Sequence, residues 1–171
     1  ETAIFTNPHK LLTAIRERPP DLLGFSLRLW NERLSAWCAK QVLRLGGNTL
    51  MVAGGPSIPR DEAGQAALLE SGPYDFLVPG EGERALLQIV ERALRLGMSI
   101  PTDVVVAGEA CSDLAILPSP YLTGLLDPWL AEGATPAISG SRGCPYSCRF
   151  CVSGAVEWNK LRPFPLERVK A

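Results

Sequence analysis

Between Pro8 and Leu96 the chain alternates amphipathic stretches with short apolar runs, and no other feature limits its fold so strongly. "PHKLLTAIRERPP" places Leu11, Leu12 and Ile15 at helical spacing and closes on Pro19 and Pro20. "DLLGFSLRL" follows as a short apolar strand. In "NERLSAWCAKQVLRLGG", Leu34, Trp37, Cys38, Gln41 or Val42, and Leu45 fall on one helical face, which ends at Gly46 and Gly47. "NTLMVAGGP" reads as a buried strand and "DEAGQAALLESG" as a helix weakened by Gly64. "YDFLVPG" is a third strand. "EGERALLQIVERALRLG" is a strong helix with Leu86, Leu87, Val90, Ala93 and Leu94 expected inward and Glu91 paired with Arg95 outside.

Short apolar strands separated by amphipathic helices specify an α/β fold, a parallel sheet covered on both faces. At least three strands are visible, so the expected class is a partial Rossmann-like, doubly wound sheet over residues 1–97. Ligands of such sheets bind beyond the carboxyl ends of the strands, which here read "SLRLWN", "AGGPS" and "VPGEGE". Residues 98–134 read as an ordered inter-domain linker, with recurrent prolines and apolar anchors at Leu117, Tyr121, Leu122 and Leu125. From about residue 135, "TPAISGSRGC" reads as a strand entering a loop and "FPLERVKA" as the opening of a helix, so 135–171 is the truncated start of a second domain.

Composition narrows the function classes. The 171 residues carry a formal net charge of -1, which argues against a dedicated nucleic-acid binder with its basic face. No apolar run reaches the roughly 20 residues that span a bilayer, and no secretory signal is visible. A cytoplasmic protein with reduced thiols is the expectation. The chain opens on Glu1 instead of Met, so it reads as a piece of a longer protein.

Five cysteines cannot form a complete disulfide set. Cys38 and Cys111 read as packing residues. Cys144, Cys148 and Cys151 are different: they lie within "SRGCPYSCRFC" at C-x3-C-x2-C spacing. Three thiolates suit a four-iron cluster that leaves one iron open. Zinc would need a fourth ligand, and the single histidine, His9, is far away in sequence. Unligated structural cysteines are the third reading.

"RGCPYSCRFC" resembles the cluster loop of the radical S-adenosylmethionine superfamily, with Phe150 as its aromatic position. "DLLGFSLRLWN", "VAGGPSIP", "YDFLVPGEGE" and "LPSPYLTGLLD" resemble, in order, segments of the cobalamin-binding branch of that superfamily. The resemblance implies a cobalamin-binding domain followed by the start of a partial TIM barrel. It implies that Cys144, Cys148 and Cys151 hold a [4Fe-4S] cluster whose open iron binds S-adenosylmethionine. Reductive cleavage to a 5'-deoxyadenosyl radical would then serve methylation or a related radical transformation. Phe150 would lie near the adenine, the alternative being an ordinary core aromatic; Arg142 and Arg149 would either add positive charge near the cluster or be ordinary solvated loop residues. Ser26, Gly54 and Gly55 would meet the cobalamin nucleotide tail, unless the glycine pair is a plain turn, and Gly80, Glu81 and Gly82 would line its cleft or form a tight turn feeding an acidic helix start. An electron donor such as flavodoxin or ferredoxin and a small-molecule substrate are implied.

Two departures stand against this pattern. "TNPHKLL" does not fit D-x-H-x-x-G, so His9 reads as a surface or helix-start residue, and the first strand of the domain is expected upstream of Glu1. The glycine-rich strand that would clasp the methionine amino group is also absent, so the chain alone is expected to be inactive. Two other classes remain: a radical enzyme with a docking domain in place of a cobalamin domain, similar to methylthiotransferases, and a non-enzymatic zinc module.

Overall fold

A computed structural model of the chain describes residues 3–97, 100–102, 104–151 and 160–171. They divide into two compact units, Glu1–Ala110 and Cys111–Ala171.

In the first unit the expected alternation folds as α1 (Pro8–Glu17), β1 (Leu22–Ser26), α2 (Glu32–Leu45), β2 (Leu50–Gly54), α3 (Glu62–Ser71), β3 (Phe76–Val78) and α4 (Gly82–Leu96). A fourth strand, β4 (Val104–Val105), follows within the segment read as linker, too short to register as an apolar run. All four pair in parallel in the order β1-β2-β3-β4. The fold class is therefore α/β with a parallel, Rossmann-like sheet.

Alternation along the strands splits the core in two. Phe25, Met51, Ala53 and Leu77 face one side, where Leu11, Leu12 and Ile15 of α1 and Cys38, Ala39 and Val42 of α2 cover them. Leu68 and Leu69 of α3 pack on the same side. Leu50, Val52, Phe76 and Val78 face the other side, under Ala85, Ile89 and Ala93 of α4. The α4 connection thus advances in the same direction as the α2 and α3 connections but over the opposite face. It must have the opposite hand, an exception to the usual right-handed crossover. The exception involves only a two-residue ladder at the sheet edge.

Two helices are rotated relative to the expected faces. On α2 the inward residues are Ser35, Cys38, Ala39 and Val42, while Leu34, Trp37 and Leu45 are exposed. On α4, Ala85, Ile89 and Ala93 are inward; Leu86, Leu87 and Leu94 are exposed and Val90 is half-buried. The physical reason is that small side chains let a helix lie close on the sheet, and the apolar stripe is wider than the sheet beneath it. Glu91 and Arg95 make no ion pair. His9 is an exposed residue in the first turn of α1, whose N-cap is Asn7.

Tyr74 is buried at 4% exposure, edge-on to Phe25 at 5.8 Å between ring centroids. Its hydroxyl has no hydrogen-bond partner among the described residues. Burial, then the nearby charges of Glu32 and Cys38, push its pKa up to about 12. Burial also raises the Cys38 thiol, which suits a packing role.

The second unit has little regular structure: a 3-10 turn at Leu114–Ile116, α5 (Asp127–Ala131), β5 (Ser141–Arg142), β6 (Arg162–Pro163) and α6 (Leu166–Lys170). The helix expected in "FPLERVKA" is α6, with Pro165 as its N-cap. The strand expected in "TPAISGSRGC" is reduced to β5, which pairs antiparallel with β6. Among the described residues it has no parallel neighbour of the kind a barrel strand requires.

Two measurements check this packing by urea unfolding of the 171-residue chain. Ile89→Ala is expected to cost about 2–5 kcal/mol and Leu94→Ala, at an exposed position, no more than about 0.5 kcal/mol. The reverse order would restore the unrotated helix. Tyr74→Phe removes an unsatisfied hydroxyl and is expected to leave stability unchanged or raise it by up to about 3 kcal/mol. A phenol with a raised folded pKa contributes stability that is complete below its ordinary pKa of 10.0 and lost as the pH rises toward about 12. The alkaline loss of stability should accordingly be smaller in Tyr74→Phe than in the parent chain.

Candidate functional site

The parallel register places the carboxyl ends of the strands side by side. Ser26 pairs with Gly54, and Gly54 with Val78, so the three lie in one row on the face that α4 partly covers. Ser26 is exposed, and its backbone carbonyl accepts from Asn31 Nδ2 at 2.9 Å. Behind it on the same face, a Cβ built at Gly24 would meet nothing within 4 Å. Small side chains with open space above them form a shelf where a ligand can reach the backbone.

The glycines expected at the cobalamin tail and cleft have different surroundings. A Cβ on Gly54 would make ordinary contacts with Val78, the nearest at 3.6 Å. Gly55, at φ +105°, passes so close to β1 that a Cβ would stand 2.6 Å from the Leu27 carbonyl oxygen. Gly80, at φ +94°, bridges Gly108, where a Cβ would come within 2.4 Å of the Gly108 oxygen. Gly55 and Gly80 thus have a packing reason to be glycine, independent of any ligand. Glu81 is buried at the N-cap of α4, and Gly82 is that helix's first residue.

Sequence reasoning missed two contributors. Gly108 crosses Gly80 and Glu81, and its only sequence signal is a glycine beyond a short valine run. The other is the rim loop after β1. Asn31 accepts from the Arg28 N–H at 2.7 Å and donates to Ser26, fixing a turn that projects Leu29 and Trp30 into solvent. Trp30 is 78% exposed, with the Arg28 guanidinium 5.7 Å from its ring centre. An indole directly after a strand of a parallel sheet was the available signal.

In the second unit, β5 leads into Gly143, at φ +87°, and then the cysteines. Cys144 is half-buried; Cys148 and Cys151 are exposed, and the Cys151 N–H donates to the Cys148 carbonyl at 3.1 Å. Phe150 is 94% exposed, which excludes its reading as a core aromatic. Arg149 is exposed, whereas Arg142 lies 5.9 Å from the Phe164 ring centre. As a donor set, three accessible thiols in one short loop fit an iron–sulfur cluster. Among the described residues no three His, Cys, Asp or Glu side chains stand together as a metal group, so the loop would have to close around a cluster. Cys38 and Cys111 are buried and stay outside this set.

No family profile matches the chain. Individual relatives do. The cobalamin-dependent radical SAM methyltransferase TokK of Streptomyces tokunonensis is 35% identical over 97% of this chain and 28% of its own length. A 2-(S-pantetheinyl)-carbapenam-3-carboxylate methyltransferase of Streptantibioticus cattleyicolor is 32% identical over 97% of this chain and 28% of its own length. An uncharacterized methyltransferase of Pyrococcus horikoshii is 27% identical over 91% of this chain and 36% of its own length. The chain spans 28% of the length of the first two relatives. Along nearly all of its length the chain is therefore similar to proteins named as methyltransferases, one of them a cobalamin-dependent radical SAM methyltransferase.

Proposed function

We propose that this chain supplies the cobalamin-binding sheet and the iron–sulfur loop of a radical S-adenosylmethionine methyltransferase. The observation that carries the proposal is the trio Cys144, Cys148 and Cys151, accessible in one loop of a chain related to such enzymes. Bound together, the groups would supply reductive S-adenosylmethionine cleavage at the cluster and a methyl carrier in cobalamin.

The chain's own part is positioning. Cys144, Cys148 and Cys151 would hold three irons of a cluster as thiolates and leave the fourth open. Phe150, exposed one residue before the last ligand, offers a flat apolar surface for the adenine. Ser26 and Gly54, level with each other at the sheet's rim, admit the nucleotide tail against the backbone, with the space over Gly24 behind them. Trp30 provides an exposed aromatic wall beside that rim. His9, exposed in the first turn of α1, is given no part in holding the group.

The partners are an electron donor of the flavodoxin or ferredoxin kind and a substrate. Substrate selection is assigned to regions of the relatives that this chain does not match. Among the described residues no helix is long and apolar enough to cross a membrane.

The test is the visible spectrum of the complete protein, reconstituted anaerobically with iron and sulfide, offered hydroxocobalamin and desalted. It is compared with the Cys144→Ala, Cys148→Ala, Cys151→Ala triple variant. A broad cluster band lost in the variant, with corrinoid bands retained in both, is the expected result. A cluster without corrinoid makes the sheet a docking domain, as in the methylthiotransferase-like reading. Zinc in place of iron rejects radical chemistry.

A further inference from the structure

Within the second unit, both chain segments flanking the cysteines are tied to residues 111–121. The Tyr121 hydroxyl donates to the Ala137 carbonyl and accepts from the Ala137 N–H, each at 2.9 Å, four residues before β5. On the far side of the cysteines, Arg162 of β6 donates to the Cys111 carbonyl at 2.5 Å. Arg168 of α6 donates through Nη1 to the carbonyls of Leu114 at 3.0 Å and Ala115 at 3.3 Å, and also to that of Leu117. These carbonyls belong to the 3-10 turn and to Leu117, the residue that caps its end. The same guanidinium lies 5.0 Å from the Phe164 ring centre, and Arg142 of β5 approaches that ring at 5.9 Å. The Phe164 N–H donates to the Gly140 carbonyl at 3.0 Å, extending the β5–β6 pairing.

Phe164 is thus the point where the strand entering the cysteine loop meets the strand that follows it, and Arg168 holds that point against the 3-10 turn. All three carbonyl contacts run through the one nitrogen Nη1 while the guanidinium carbon stands 5.0 Å from the Phe164 ring centre; a lysine keeps the charge but loses the flat group at the ring. We infer that Arg168 is a positioning residue for the cysteine loop, fixing the mouth of the loop so that the three thiolates meet a cluster in a set orientation. This rests on the cluster reading above. Among the described residues Arg168 contacts the 3-10 turn, Leu117 and Phe164 and none of the three loop cysteines, so its part is to position the loop.

The test uses the complete protein reconstituted with iron and sulfide, in parent, Arg168→Met and Arg168→Lys forms. Three readouts are taken: iron content, thermal midpoint and the electron paramagnetic resonance spectrum of the reduced cluster with and without S-adenosylmethionine. The expected result is near-parental iron and midpoint in Arg168→Lys, but a broadened cluster signal. The S-adenosylmethionine concentration needed for the spectral shift should rise about tenfold, because an unfixed loop must be ordered on binding. Arg168→Met should show the same change or a larger one. If Arg168→Met does not fold, Arg168→Lys still decides. Parental spectra and parental S-adenosylmethionine response in Arg168→Lys would overturn the inference. Failure of the parent protein to take up iron would instead overturn the cluster reading.

Discussion

Burial of β2 on both faces is the constraint on which the first unit depends. Leu50 and Val52 point to one side, Met51 and Ala53 to the other, and all four are almost inaccessible. A strand so placed must be paired along both edges, because its backbone groups have no water to bond. β1 and β3 supply that pairing in parallel register. Asp75 adds to it at the entrance of β3, accepting the Met51 N–H at 2.7 Å through its side chain while its own N–H donates to the Met51 carbonyl at 2.8 Å. Parallel pairing forces helical crossovers, and the crossovers deliver the apolar faces that cover the sheet. Register then decides which residues share the rim.

At that rim two demands meet. Gly55 and Gly80 are required by the close passage of neighbouring backbone, while among the described residues a Cβ at Gly24 would meet nothing within 4 Å and one at Gly54 only ordinary contacts with Val78. A glycine-rich rim therefore combines tight junctions with an open shelf. Substituting the first kind disturbs the fold, and substituting the second kind narrows the shelf. The rim loop is built differently. Asn31 closes it with side-chain hydrogen bonds, so that Trp30 can remain exposed without the turn losing its shape.

The second unit is held by another kind of force. Among its described residues only Cys111 and Leu114 are fully buried hydrophobics. Arginine–carbonyl and arginine–aromatic contacts take the place of a core: Arg162 to Cys111, and Arg168 to the 3-10 turn and Phe164. Hydrogen bonds from a charged donor are stronger than neutral ones but directional. They hold a short hairpin in one geometry where apolar packing would allow several. The segment read as an inter-domain linker is, from Cys111 onward, the surface on which that hairpin is fixed.

The sequence by itself determined α1 to α4 and β1 to β3 of the first unit, the parallel class of its sheet and the three cysteines of the loop. Each is written locally: periodicity in Leu11, Leu12 and Ile15, continuous apolar runs in β2 and β3, and a C-x3-C-x2-C spacing that depends on no distant residue. Only the tertiary structure decided which face of α2 and α4 turns inward. Both helices carry apolar stripes wide enough for more than one orientation, and the sheet selected the side bearing Cys38 and Ala39, or Ala85 and Ala93, because small residues permit close approach. Tertiary structure also revealed β4, the Gly80–Gly108 crossing and the Arg168 contacts. These join positions distant along the chain, and a single sequence carries no periodic signal for a pairing between distant backbones.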